Sequence, residues 1–195
     1  DELQHHARGC YSAESYVKMA KRKCEQNLLA AEKLCIMAKE LTGDKYPAKK
    51  LKKAWKNVLF NQFHDILPGT SIHEAMEDCR PDFAKLEADG NEMLADARNG
   101  ILSDIDVTEK GVIGWNFLSH KATAPVTVEA ENTVGENCIA FEENGKKYIH
   151  FIATDVPPMG YKFFPFAEVK KCDNLTIGDG IIENEILKVT YDENG

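Results

Sequence analysis

A regular stripe of small apolar residues in the N-terminal part of the chain constrains the fold more than any other feature. Its members recur at alternating spacings of three and four: Val17, Ala20, Cys24, Leu28, Ala31, Cys35 and Ala38. This is the period of one face of an α-helix. Ser12 is the predicted N-cap, and Thr42-Gly43 is the predicted end. Because a helix this long is stabilised mainly by packing, it needs partners that cover the stripe.

Two further helices are predicted to supply those partners. Pro47 suits the first turn of the second helix, which is predicted to extend to Ile66. Its predicted inner residues are Leu51, Ala54, Trp55, Val58, Leu59, Gln62 and Phe63. Ser71–Glu74 has the pattern of a capping box that opens the third helix. Its predicted buried residues are Ile72, Met76, Cys79, Phe83, Leu86, Met93 and Leu94. Pro81 is expected to kink or split this helix, and Asn99-Gly100 to end it.

The sequence pattern changes near residue 104, where alternating and β-branched segments begin. Predicted strands are Gly111–Asn116, Ala124–Glu129, Ile139–Glu142, Lys147–Ala153, Tyr161–Phe166 and Ile182–Tyr191. Asn144-Gly145 predicts a two-residue hairpin turn, and Pro157–Gly160 a second turn. The predicted fold class is therefore α+β: an antiparallel three-helix bundle over residues 1–103, followed by an antiparallel, sandwich-type β segment over 104–195. Since no strand follows Gly195, we expect an incomplete sheet.

Charge and cysteine content exclude several functional classes. A net charge of −8 makes nucleic acid an improbable partner, and no apolar run reaches the length of about 18 residues that a membrane span requires. The lysines at 49, 50, 52, 53 and 56 predict a solvated helix face, with a phosphate-binding patch as the alternative. The six cysteines form no Cys-x-x-Cys pair, and Cys24, Cys35 and Cys79 are predicted to be buried. A reduced, cytoplasmic setting follows from this cysteine use.

His64 and Asp65 are the candidate chemical residues. On a helix that extends to Ile66, both would point away from the bundle core, and Asp65 would lie unfavourably near the negative end of the helix dipole. The alternative is structural: Asp65 accepts a hydrogen bond from the turn at Gly69-Thr70, and His64 is an ordinary surface residue. His5-His6 is either one wall of a polar site or an irregular lead-in to the first helix.

Several segments resemble the glycoside hydrolase family 38 α-mannosidases of the bacterial and cytosolic type. "NQFHDILPGTS" at 61–71 is similar to the family's motif around its late zinc-ligand histidine, although Golgi and lysosomal members usually carry a second His where this chain has Phe63. "HARGCYS" at 6–12 resembles the start of the helical middle domain. "GWNFLSH" at 114–120, "VPPMGYKFF" at 156–164 and "IENEILKVTYDENG" at 182–195 resemble its β region.

The resemblance implies a zinc-dependent retaining exo-α-mannosidase. It implies that His64 is one of the zinc ligands and that Asp65 hydrogen-bonds hydroxyls of the bound mannose. In the family, the remaining ligands, the carboxylate nucleophile and the acid/base come from an N-terminal α/β catalytic domain, which would precede Asp1. No residue of this chain is assigned a catalytic role, and the chain alone is expected to be inactive. Its expected partners are an α-mannoside and that catalytic domain; the oligomeric state stays open.

Two alternatives belong to other functional classes. One is a non-catalytic carbohydrate-binding or scaffold module, in which Trp115 or Tyr161 would contact sugar, although their strand positions favour the core. The other is a metal phosphohydrolase of the His-Asp type, which would combine His64-Asp65 with His5 or His6 and a further Asp on a later helix. The β half fits this second alternative poorly.

Overall fold

The computed structural model describes residues 9, 12–106, 108–130, 139–166 and 176–193. The chain divides into two compact units, Asp1–Asp106 and Val107–Gly195. The first unit is helical and the second is made of antiparallel strands, so the α+β class is confirmed. The division predicted after residue 103 falls at the end of the third helix, while the contacts between residues place it after Asp106.

The first helix, α1, spans Ser15–Thr42 and confirms the long apolar stripe. Its start differs from the prediction, because Glu14 occupies the N-cap position with a left-handed backbone (φ 45°). The Ser12 hydroxyl instead donates a hydrogen bond to the carbonyl of Gly9 at 3.0 Å, so it is not available to cap the helix. The predicted end is correct: Gly43 is left-handed (φ 79°), and its N–H donates to the Lys39 carbonyl.

The second helix, α2, spans Ala48–Phe60 and is therefore shorter than predicted. Asn61 is its C-cap: the backbone N–H of Asn61 still donates to the Asn57 carbonyl at 3.1 Å, and its side-chain amide donates to the same carbonyl at 3.0 Å. The helical pattern ends at Gln62, whose N–H donates to the Leu59 carbonyl three residues back. The inner face was predicted too broadly. Leu59 and Phe63 are 60% and 52% exposed, while the buried residues are Leu51, Ala54 and Val58.

The third helix, α3, spans His73–Ser103 without interruption. Ile72 is its N-cap residue, 68% exposed, and no side-chain capping bond forms, so the capping box and the burial of Ile72 were wrong. Pro81 does not split the helix, since buried residues before and after it, Cys79 and Phe83, keep this stretch packed. The helix also continues past Gly100, because Ile101 is 2% exposed and packs into the core.

One apolar core is lined by all three helices. The α1 residues come from the predicted stripe, with Leu34 added and Ala20 only half-buried. The α3 residues are Met76, Cys79, Phe83, Leu86, Gly90, Met93, Ala97 and Ile101.

Of the described helices, none combines the length and apolar content that crossing a membrane demands.

The described residues of the β unit form three small antiparallel sheets. Its strands are β1 (Gly111–Asn116), β2 (Ala122–Glu129), β3 (Ile139–Glu143), β4 (Lys146–Val156), β5 (Gly160–Pro165), β6 (Thr176–Gly178), β7 (Ile181–Glu183) and β8 (Lys188–Thr190). The sheet orders are β1-β5, β2-β4-β3 and β6-β7-β8. The buried apolar residues described for this unit are Ala130, Ile149, Phe151, Ala153, Val156 and Phe164.

The predicted turns of this unit are correct, whereas its last predicted strand is wrong. Asn144 and Gly145 have φ of 52° and 76° and join β3 to β4, as the two-residue hairpin requires. The segment predicted as one strand over Ile182–Tyr191 is a hairpin of β7 and β8, because the Asn184 carboxamide oxygen accepts bonds from the N–H groups of Ile186 and Leu187 and turns the chain. Thus β8 has β7 as its partner.

Candidate functional site

His64 and Asp65 lie in the loop that joins α2 to α3, which spans residues 61–72. Their side chains are 78% and 50% exposed, and His64 Nε2 lies 3.5 Å from Asp65 Oδ2. The Phe63 and His64 rings have centroids 4.1 Å apart. Because α2 ends at Phe60, the expected conflict between Asp65 and a helix dipole does not arise. The exposed pair is nevertheless available to a partner.

Asp65 also makes the structural contact that the alternative interpretation predicted. The Thr70 hydroxyl donates to Asp65 Oδ1 at 3.4 Å, and the Thr70 N–H donates to the Asp65 carbonyl at 3.1 Å. Oδ2 is the oxygen that faces His64. The carboxylate therefore shapes its own turn through one oxygen and stays half-exposed, which leaves it capacity to accept bonds from another molecule.

Two polar residues fix the start of this loop, and sequence reasoning did not recognise their role. Asn61 is 1% exposed, and its amide lies 3.5 Å from Asp82 Oδ2 on α3. The Gln62 amide donates to Glu25 Oε1 on α1 at 2.8 Å. The signal that could have revealed them is a pair of amides at the end of an apolar stripe, where a buried amide needs a hydrogen-bond partner.

Gly69 fixes the far end of the loop. It has φ of 78°, and a Cβ at this position would lie 3.0 Å from both the Ala13 carbonyl oxygen and Glu14 Cβ. The loop thus approaches the start of α1 more closely than a side chain would permit. A residue with a side chain would be strained both by this contact and by its backbone conformation.

The other candidates from the sequence are the two histidines at 5–6, His150, Trp115 and Tyr161. His5, His6 and Cys10 lie outside the described residues. His150 lies on β4 and its Nδ1 is 2.8 Å from the hydroxyl of Thr127 on β2, as its predicted cross-strand role requires. The Trp115 and Tyr161 rings, with centroids 5.1 Å apart, are half-buried partners across β1 and β5 and were not fully core as predicted.

The lysine cluster of α2 lies on an exposed helix face, as the solvated interpretation predicted. Lys50 pairs with Glu92 of α3 at 2.9 Å. The hydrogen bond that the Lys50 ammonium donates to the Glu92 carboxylate raises the pKa of Lys50. The cluster therefore contributes to the outer surface of the bundle and its polar contacts.

Three cysteines are buried free thiols, as predicted: Cys24, Cys35 and Cys79. Burial raises the pKa of each of these thiols, since it disfavours the charged thiolate. Cys138 and Cys172 lie outside the described residues. The described thiols thus act as small core residues.

The part of the chain that the structure describes contains no group of three or more His, Cys, Asp or Glu side chains arranged to hold a metal ion. A structural or catalytic zinc site takes at least three protein ligands. His64 and Asp65 can therefore supply only part of such a site.

Comparison with known proteins decides between the interpretations. Residues 5–101 match the family described as "Alpha mannosidase middle domain". The helical unit belongs to the middle-domain family of the α-mannosidases. Two similar proteins are alpha-mannosidase 2C1 of Mus musculus, 31% identical over 116 residues, and alpha-mannosidase G of Dictyostelium discoideum, 41% identical over 71 residues. These alignments cover 59% and 36% of this chain, and 11% and 6% of the two proteins. The chain thus spans about a tenth or less of the length of these relatives.

Two crystal structures from Enterococcus faecalis share the fold of this chain. One is of a protein in glycosyl hydrolase family 38, with a TM-score of 0.74 and 21% identity over 96% of this chain and 29% of that protein. The other is of an α-mannosidase from strain V583, with a TM-score of 0.69 and 22% identity over 97% of this chain and 28% of that protein. The similarity extends over the helical unit and the strands.

Proposed function

We propose that the full-length protein is a zinc-dependent, retaining exo-α-mannosidase that hydrolyses terminal α-mannosides. Membership of the α-mannosidase family supports the reaction class, and the exposed His64-Asp65 pair supports the place of this chain in it. The helical unit contributes one zinc ligand and one sugar-binding carboxylate. We assign the nucleophile, the acid/base and the other ligands to a catalytic domain of the same protein, as the family resemblance implies.

His64 fits the position of a single zinc ligand. Its imidazole is 78% exposed, so its ring nitrogens are accessible to an ion. A neutral imidazole is a favoured zinc ligand. When bound, zinc supplies a Lewis-acid centre that holds oxygen atoms of the sugar. The task of this chain is to present the imidazole at the end of a well-packed bundle.

Asp65 fits the role of a sugar-binding residue. Its half-exposed carboxylate accepts from Thr70 through one oxygen and has remaining lone pairs for hydroxyl groups. A carboxylate can accept hydrogen bonds from two adjacent hydroxyls of one sugar. Asp65 thereby orients the mannose ring while the carboxyl pair of the catalytic domain carries out the two displacements of a retaining glycosidase.

The buried free thiols support a reducing environment such as the cytoplasm as the place of action. In the same account the substrate is a mannoside, and neither nucleic acid nor a membrane takes part. The negative net charge of the chain opposes binding to the negatively charged backbone of nucleic acid.

Asp65→Asn in the full-length protein tests the sugar-binding role. We expect kcat/KM for an aryl α-mannoside to fall by about 10- to 100-fold, because charge-assisted hydrogen bonds are lost, while zinc content stays the same. Asp96→Asn, at an exposed position of α3, is the matched control and should retain full activity. Equal kcat/KM in the two variants would rule out this role for Asp65.

The isolated chain provides a second test. We expect the 195-residue chain to show no hydrolysis of an aryl α-mannoside and only weak zinc binding, because one histidine cannot complete a four-coordinate site. Zinc-dependent hydrolysis by this chain alone would contradict the division of roles.

A further inference from the structure

The position of His64 is set by the loop backbone. The side-chain contacts described for His64 are to its chain neighbours, the Phe63 ring at 4.1 Å and the Asp65 carboxylate at 3.5 Å. A neighbour in the chain moves with the residue and cannot hold it in place. A metal ligand must be held within a fraction of an ångström of its productive position. The constraint must therefore come from the points where the loop is attached to the bundle.

Gln62 makes the attachment that lies nearest to His64 on the N-terminal side and reaches α1. Its amide donates to Glu25 Oε1 at 2.8 Å, and Lys21 Nζ lies 2.9 Å from the same oxygen. The Lys21 and Glu25 side chains are both 21% exposed, so this bond is partly shielded from water. Glu25 is thereby held from two sides, and it provides a fixed point for the loop.

Gln62 is not part of the apolar core of α2, which is formed by Leu51, Ala54 and Val58. The backbone N–H of Gln62 already bonds to the Leu59 carbonyl at 3.2 Å. The turn at residues 59–62 is thus closed by this backbone hydrogen bond, and it does not need the side-chain bond to Glu25 to form. Its effect is to connect that turn to α1.

We infer that Gln62 is a positioning residue that fixes the metal-binding imidazole of His64 through its hydrogen bond to Glu25. The inference rests on the proposed function, because it takes His64 to be a zinc ligand. Gln62 itself contacts neither zinc nor sugar in this account. Its loss should weaken zinc binding without unfolding the bundle.

The chain offers a matched control for this bond. Trp55 of α2 donates from its indole N–H to Glu32 Oε1 of α1 at 2.9 Å. This bond also joins α2 to α1 through a glutamate, but Trp55 lies within α2, between one and two helical turns before the loop. Trp55→Phe removes the α2–α1 bond and leaves the attachment beside His64 intact.

The experiment compares Gln62→Met and Trp55→Phe in the full-length protein, measuring the zinc dissociation constant by competition with a chelator and the melting temperature. Gln62→Met should raise the dissociation constant by about 10- to 100-fold, the range for residues that orient metal ligands. Trp55→Phe should change it by less than about twofold. Equal dissociation constants in the two variants would overturn the inference.

Exchanging the amide and the carboxylate between positions 62 and 25 distinguishes loss of the hydrogen bond from a folding defect. Gln62→Glu alone places a carboxylate against Glu25 and should weaken zinc binding at least as much as Gln62→Met. Adding Glu25→Gln puts the amide on α1 and the carboxylate in the loop, which restores the bond and should recover most of the zinc affinity. Failure of the exchange to recover affinity above that of Gln62→Glu would also overturn the inference.

His64→Ala, measured beside these variants, separates the two proposals. If His64→Ala loses zinc and Gln62→Met does not, the positioning role is wrong and the ligand assignment stands. If His64→Ala retains zinc, the ligand assignment is wrong and the positioning role falls with it.

Discussion

The helical unit and the last sheet of the β unit differ in where their apolar residues lie. In the bundle, residues such as Leu28 and Phe83 are at most 1% exposed and belong to a core shared by all three helices. In the β6-β7-β8 sheet, Val189 is 52% exposed, and neither β7 nor β8 has a buried residue. The bundle thus carries its own core and can serve as a rigid support for the loop that holds His64. The last sheet contributes little to a core.

Removal of a large core side chain should show this difference most strongly. Phe83→Ala in α3 should lower the free energy of unfolding by about 3–5 kcal/mol, since it leaves a cavity in a packed interior. Val189→Ala in β8 should change it by less than about 0.5 kcal/mol. Chemical denaturation followed by circular dichroism measures both. A large loss from Val189→Ala would show that the last sheet is buried against something else.

Substitution of Asn116 tests whether buried side-chain hydrogen bonds stabilise the β unit. It is 3% exposed; its amide donates to the carbonyls of His120 and Val156, and its oxygen accepts from the Leu118 N–H. Asn116→Leu should cost about 2–3 kcal/mol, because buried backbone groups lose their partners. Asn144→Asp, in an exposed turn, serves as the control in the same denaturation experiment. A neutral Asn116→Leu variant would show that these bonds do not stabilise the unit.

Gly69 and Gly43 both have a left-handed backbone, but only Gly69 lies against another segment of the helical unit. Gly69→Ala should cost about 1–3 kcal/mol, because its backbone is unfavourable and the added Cβ meets Ala13 and Glu14. Gly43→Ala should cost about 1 kcal/mol, because a Cβ there meets nothing within 4 Å. Thermal unfolding measures the difference. Equal losses would mean that the loop does not pack against the start of α1.

The buried thiols give the bundle a pH dependence. The folded-state pKa values of Cys24, Cys35 and Cys79 are raised by burial. Since the unfolded thiols ionise first, the stability they confer is complete below the ordinary thiol pKa of about 8.5 and declines as pH rises above it. Unfolding between pH 7 and 10 should show this decline, and Cys24→Ala should reduce it. An unfolding midpoint that does not change between pH 7 and 10 would contradict the raised pKa values of the buried thiols.

The sequence predicted the long helices and the hairpin turns because each depends on local signals. The three-and-four spacing of the α1 stripe predicts the observed helix. The Asn144-Gly145 dipeptide predicts the observed two-residue hairpin turn. The errors arose where tertiary contacts override local signals. Helix α2 ends where the buried Asn61 lies 3.5 Å from Asp82 of α3, and Ile101 extends α3 past Gly100 by packing into the core. The roles of Gln62 and Gly69 also depend on α1. The amide pair at 61–62 signals that a hydrogen-bond partner is needed, but no pattern within the loop identifies Glu25 as that partner or the start of α1 as the neighbour of Gly69.

The zinc content of full-length His64→Ala tests the central assignment most directly. His73→Ala, at an exposed position at the start of α3, is the matched control. We expect His64→Ala to lose at least about nine-tenths of its bound zinc after dialysis, because a four-coordinate site lacks one ligand, and His73→Ala to retain it. Full zinc occupancy together with undiminished α-mannoside hydrolysis in His64→Ala would contradict the account.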